Sequence, residues 1–208
     1  GSSLFSSKKR HLMKGVELAD SVCWDAHKMM GMPLICSTFI VKDERILSSV
    51  CSHSDVAHYL FHEDSKEVDL GRYSLQCGRR NDSLKLWLAW REIGDSGWAK
   101  MVESYCSLAD YLERRVVAEP NLEMMSHRDW ANVCFRYNDH SGKHDLNQLN
   151  MEIRTRLLKE GEIMLSRSNI GDDIILRSVI SNPSVSTEIL DRLIEKVNSH
   201  ALEIISGI

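Results

Sequence analysis

Lys28 stands in the run Ser21-Val22-Cys23-Trp24-Asp25-Ala26-His27-Lys28-Met29-Met30-Gly31-Met32-Pro33-Leu34-Ile35-Cys36-Ser37. The run reads as a short apolar strand, a polar turn with one lysine, a Met/Gly/Pro segment and a second strand. Apolar neighbours such as Met29, Met30 and Met32 would strip water from the ammonium and lower its pKa. A neutral amine is the form that condenses with an aldehyde to a Schiff base. On spacing alone, a solvated lysine on a surface loop is the commoner reading. Arg177 is the second candidate, because it lies on an otherwise apolar strand between Leu176 and Val179. A structural charge there needs a partner, such as a buried Asp or Glu. Cys51, His53, His58 and His62 also cluster, and His58 and His62 are four apart. Their spacing matches no standard zinc pattern, so no metal site is expected.

The wording around Lys28 narrows the choice. His27-Lys28-Met29-Met30-Gly31, followed by Pro33-Leu34 and Cys36-Ser37, closely resembles the cofactor lysine segment of the group II pyridoxal-phosphate decarboxylases. That family includes glutamate, sulfinoalanine and diaminobutyrate decarboxylases. Tyr59-Leu60-Phe61 resembles its tripeptide before a mobile loop, and Gln76-Cys77-Gly78-Arg79-Arg80 with Leu84 to Trp90 resembles its helix entry. Asn132-Val133-Cys134-Phe135 and Leu176 to Pro183 resemble two C-terminal strands, and the order holds from about Gly1 to Ile204.

The resemblance implies an α/β fold, the C-terminal part of a fold type I (aspartate aminotransferase-like) enzyme. Residues 1–95 would close the large cofactor-binding domain and carry the lysine and the mobile loop; residues 96–208 would form the small C-terminal α/β domain. It implies pyridoxal 5'-phosphate as cofactor, held by Lys28 through a Schiff base, with His27 close to the phosphate or the carboxylate. His27 reads equally as a turn histidine capping backbone. Asp25 stands where most relatives have an asparagine that touches the phosphate, and a carboxylate facing phosphate would repel it. Arg177 matches the arginine that binds the substrate α-carboxylate. Tyr73, near the end of the loop from His62, is the candidate acid that returns a proton to the substrate carbon; His62 is the alternative. The family's ring-pairing aspartate, its stacking histidine and most phosphate contacts lie upstream of the matched segment. The expectation is therefore a decarboxylase of acidic or diamino acids whose N-terminal half is on another chain or has been removed, assembled as a homodimer or heteromer. Two other readings stay open: a catalytically silent partner subunit or fragment of the same fold, and a relative that uses the cofactor for decarboxylation-dependent oxidation or transamination.

The elements that must position these residues follow from pattern. With 208 residues, 43% hydrophobic and 27% charged, the chain can bury one or two ordinary cores. The net charge of -4 gives no basic surface for nucleic acid. No apolar run suits a membrane span, and no signal peptide is read, so a cytoplasmic location is expected. The six cysteines lack CxxC spacing and read as reduced thiols, several of them buried. Ser6 to Lys14 reads as helical, Ser21 to Trp24 and Leu34 to Val41 as strands, and Asp43 as the cap of a short helix. Asp82 caps a helix whose run Leu84 to Trp90 is apolar on nearly every side and so reads as buried. Gly94 to Gly97 breaks it. The next helix carries Trp98, Met101, Val102, Tyr105, Leu108, Ala109 and Leu112 as a core stripe. Strands are expected at Leu122 to Met125, Asn132 to Tyr137, Ile163 to Ser166 and Ile174 to Ile180. Helices are expected from Leu146 to a stop at Gly161, and after a cap at Ser186.

Overall fold

Alternating β-favouring residues at Val22 and Trp24 form strand β1 (Ser21–Asp25), which pairs antiparallel with β2 (Ser37–Val41). The register sets Asp25 opposite Ser37 and Trp24 opposite Thr38. The computed structural model describes residues 1–51, 70–76 and 78–207, in two compact units, Gly1–Trp98 and Ala99–Ile208. Tyr59, Leu60, Phe61, Cys77 and the histidines at 53, 58 and 62 lie outside the described residues.

In the first unit the N-terminal stretch is not the expected helix. It forms three 3-10 turns, Ser2–Phe5, Arg10–Met13 and Val16–Leu18, because it has no apolar stripe to bury along a longer helix. Its anchor is aromatic. Phe5 lies 5.3 Å from Trp90 and 6.3 Å from both Trp24 and Trp98, and Trp24 meets Trp90 edge-on at 6.1 Å. This cluster ties the N-terminal turns, β1 and the long helix together. Helix α1 (Glu44–Cys51) follows β2, with the Asp43 carboxylate accepting from the Arg45 amide at 3.0 Å.

Helix α2 (Asp82–Ala118) is interrupted at Gly94, whose backbone (φ 66, ψ 170) is non-helical. Its first segment is not the buried helix that its composition suggests. Trp90 packs in the aromatic cluster, but Leu84, Trp87 and Leu88 are about half exposed. The apolar residues go round the helix, and this chain covers only one side of it. Leu34 and Ile35 are also exposed. Beyond Gly94 the expected stripe is core: Trp98, Val102, Tyr105, Ala109 and Leu112 are buried.

The second unit is a four-stranded antiparallel sheet of β3 (Leu122–Met124), β4 (Asn132–Tyr137), β5 (Ser166–Ile170) and β6 (Asp173–Val179), in the order β3-β4-β6-β5. Val133, Phe135 and Leu176 are buried on one face of the sheet; α3 (Leu146–Glu160), with buried Leu149, Ile153 and Leu157, lies against β4 and β6, and α4 (Thr187–Ser206), with buried Leu193, Ile194 and Val197, lies against β4. Asp145 caps α3 by accepting from Asn147 and Gln148 amides, and Gly161, at φ 76, ends it in the left-handed region that favours glycine. Ser186 occupies the cap position of α4, but its hydroxyl serves the Glu188 carboxylate rather than a helix amide. β5 begins where the expected strand was to end. The apolar Ile163 to Leu165 lie before it, and pairing with β6 selects the polar Ser166–Ile170 instead. Cys23, Cys36, Cys51, Cys106 and Cys134 form no disulfide, and all but Cys23 are buried. Among the described residues no helix is long and apolar enough to cross a membrane, and no cluster of side chains could hold a metal ion.

Candidate active site

The loop joining β1 to β2 carries Asp25, His27 and Lys28, and its own backbone bonds hold it. The Lys28 amide donates to the Asp25 carbonyl at 3.1 Å, Gly31 to Lys28 at 3.1 Å and Met32 to Ala26 at 3.2 Å. Gly31 takes φ +65, a conformation that a side chain would strain, so the chain can reverse three residues after the lysine. Met30 and Cys36 are buried beneath the loop.

His27 is bound to backbone. Its amide donates to the Cys36 carbonyl at 3.1 Å, and its Nδ1 lies 2.9 Å from the same carbonyl and 3.3 Å from the Cys36 amide nitrogen. One tautomer satisfies only one of the two ring contacts. The shorter distance favours Nδ1–H donating to the carbonyl, which leaves Nε2 as an acceptor. The cap reading of this histidine is therefore realised.

Lys28 is not desolvated by its methionines. Its side chain is 71% exposed, and its Nζ lies 2.5 Å from Asp25 Oδ2. The hydrogen bond to Asp25, and then its charge, raise the lysine above its ordinary value, the opposite of the direction read from Met29, Met30 and Met32. Asp25 is held down to about 2 by the hydrogen bonds from Lys28 and Ser37. The Ser37 hydroxyl donates to Asp25 Oδ1 from the facing register position, and the Cys23 thiol lies 3.7 Å from that hydroxyl. Asp25 is thus ionised, aimed at Lys28 and steadied from β2.

The far half of the loop is tied to α2. Lys85 Nζ donates to the carbonyls of Pro33 (3.2 Å) and Ile35 (3.0 Å) and pairs with Asp82 at 2.6 Å. The pairing roles of Ser37, Lys85 and Asp82 are not read in the sequence. Only the hairpin register opposite Asp25 and the i, i+3 spacing of Asp82 and Lys85 mark them. An open groove of about 1080 Å³ runs beside this tie, lined by Ile35, Ser37, Arg79, Arg80, Asp82 and Trp87 among others. Lys28 does not line it; Ser37, the partner of Asp25, does.

The other candidates lie elsewhere in the chain. Tyr73 ends a 3-10 turn (Leu70–Tyr73) and is 42% exposed. No hydrogen bond joins it to Lys28 among the described residues. Arg177, in the second unit, is exposed on β6 between buried Leu176 and Ser178. Its Nε donates to Ser166 Oγ at 3.3 Å. It needs no buried counter-charge, because the strand presents it, like Val179, to the open face.

Comparison with known proteins adds a family. The pyridoxal-dependent decarboxylase conserved domain matches residues 1–138. Acidic amino acid decarboxylase GADL1 of Bos taurus is 33% identical over 211 residues, covering 95% of this chain and 40% of the relative. Cysteine sulfinic acid decarboxylase of Homo sapiens is 32% identical over 210 residues, covering 95% of this chain and 42% of the relative. The crystal structure of Oryza sativa TDC with PLP and tryptamine superposes with a TM-score of 0.88 at 25% identity, covering 98% of this chain and 43% of that one. The chain thus spans about two fifths of the length of the curated relatives it matches.

Proposed function

The chain belongs to the pyridoxal-dependent decarboxylase family, and from that premise we propose that it carries the lysine-bearing part of an enzyme that decarboxylates an acidic amino acid. The observation that carries the reading is Lys28. It is an exposed amine at the tip of a braced β-hairpin, inside the segment that the family domain matches. The relatives named for acidic amino acids and cysteine sulfinic acid support the substrate class over diamino acids.

The donor set fits the cofactor's carbonyl group, which needs an accessible amine on a fixed backbone. It fits the phosphate less well, because Asp25 is an anion committed to Lys28. Lys28 is therefore assigned as the covalent tether and His27, through Nε2, as a neighbouring polar contact. Asp25 acts on the cofactor only through Lys28, and phosphate binding falls to other residues. Bound pyridoxal 5'-phosphate supplies an electron sink for the pair left behind when the α-carboxylate departs as CO2. Arg177 grips that α-carboxylate through its guanidinium fork, and Tyr73 Oη delivers a proton to the α-carbon. Residues 1–95 are read as the end of the family's large domain and residues 96–208 as its small domain. The exposed Leu34, Ile35, Trp87 and Leu88 are the face on which the rest of the family fold packs, within a dimeric assembly.

The test is CO2 release from L-glutamate, L-aspartate, L-cysteine sulfinate and L-2,4-diaminobutyrate by the chain assembled with the remainder of the family fold. Release from the acidic substrates that Lys28→Ala abolishes supports the reading. Release that survives Lys28→Ala, or a preference for the diamino acid, overturns it.

A further inference from the structure

Nothing in the role of a tethering lysine requires a carboxylate 2.5 Å from its nitrogen. Capture of an aldehyde uses the nitrogen lone pair, so an ammonium must lose a proton before the carbon–nitrogen bond forms and the carbonyl oxygen leaves as water. A carboxylate in contact with the nitrogen favours the charged form. Here that carboxylate is built in: Asp25 sits on β1, and Ser37 of the paired strand donates to its other oxygen.

We propose that Asp25, steadied by Ser37, is a positioning residue that holds Lys28 as an ammonium and so limits how fast the lysine captures an aldehyde. The proposal rests on Lys28 being the tether. The groups around the nitrogen are few. Asp25 dominates, Cys23 adds a weaker influence, and His27 acts on the Asp25 carboxylate while its Nδ1 is held by the Cys36 backbone. Asp25 is too weak a base to accept the leaving proton, because its own proton departs at about pH 2. Lys28 is largely exposed, so the proton goes to water. The pair also fixes direction: with Asp25 on the strand and Lys28 on the turn, the amine is held at one place above the hairpin before any ligand arrives.

The test uses the 208-residue chain and two carbonyl probes, each trapped with a borohydride reductant between pH 6 and 9. One is pyridoxal 5'-phosphate, and the other is formaldehyde, which carries no charge. Labelling is located by peptide mapping, with exposed Lys42 as the internal reference. Asp25→Asn is expected to speed labelling of Lys28 by both probes by about two- to fivefold, the range an exposed ion pair allows, with Lys42 unchanged. Ser37→Ala should move it the same way by less. Acceleration with pyridoxal 5'-phosphate alone would mean that Asp25 only repels phosphate, and labelling by both probes at the rate of the unsubstituted chain would mean that it does nothing to the amine. Either result overturns the proposal while leaving Lys28 as the tether. If pyridoxal 5'-phosphate labels Lys28 no faster than Lys42 in every variant, the tether assignment fails and the proposal with it.

Discussion

Arg177→Lys separates a substrate contact from a structural charge. Among the described residues the native arginine makes one side-chain hydrogen bond, from Nε to Ser166 Oγ at 3.3 Å, on the exposed face of β6. Ser166 does not depend on it, because its hydroxyl also donates to the Arg177 carbonyl at 2.9 Å. The strand pairing of Arg177 with Cys134 and Ser166 is made by backbone and survives the change. Stability should therefore move by no more than about 0.5 kcal/mol, as for most surface substitutions. For a unit of this size that is a Tm shift within about 3 °C. Binding of an α-carboxylate is another matter. Lysine keeps the charge but offers a single point of attachment in place of a fork. Losing one hydrogen bond to a charged group is worth about 1.5–3 kcal/mol, or roughly ten- to a hundredfold in affinity. The assay is thermal unfolding of the chain together with amino-acid Kd and kcat/KM in the assembled enzyme, all from one preparation. A Tm drop beyond about 5 °C with unchanged Kd would refute the argument, and so would unchanged values throughout.

Asn150→Ala should cost about 2–4 kcal/mol, because the fully buried amide accepts from the Tyr137 amide and donates to the Tyr137 carbonyl, each at 2.8 Å, and both would be orphaned; chemical denaturation of the chain measures it. Lys85→Met should leave the global Tm nearly unchanged but raise amide exchange in residues 28–36, since it frees the carbonyls of Pro33 and Ile35. The pair of Asp25 and Lys28 should respond to acid in a defined window. Asp25 has its folded-state pKa lowered from 3.8 to about 2, so its contribution is complete above 3.8 and is lost as pH falls through about 2. Carboxyl chemical shifts followed by NMR should show that midpoint in the native chain and a higher one in Lys28→Met.

Where local chemistry and tertiary contact agree, the sequence is legible. The start at Leu146 and the stop at Gly161 bound α3 as expected, and the stripe from Trp98 to Leu112 is core because its period matches the helix. Strand β5 lies later than expected: Ile163 to Leu165 are more apolar than Ser166–Ile170, yet an edge strand is chosen by the ladder it extends. The segment from Leu84 to Leu88 reads as buried because composition reports how much surface wants covering, not whether this chain supplies the cover. At the site, the motif around Lys28 is plain in the sequence, but its electrostatics are not. Three methionines suggest a neutral amine. The carboxylate three residues earlier overrides them, and Ser37, which aims it, is twelve positions away and visible only through the hairpin register.

The central claim, that Lys28 holds the cofactor, is tested most directly by reducing the enzyme, assembled with pyridoxal 5'-phosphate and the rest of the family fold, with borohydride and sequencing the labelled peptide. The account predicts a single stoichiometric label on Lys28 and loss of the bound cofactor's visible absorbance in Lys28→Ala. A stoichiometric label on any other lysine, or absorbance that persists in Lys28→Ala, would contradict it.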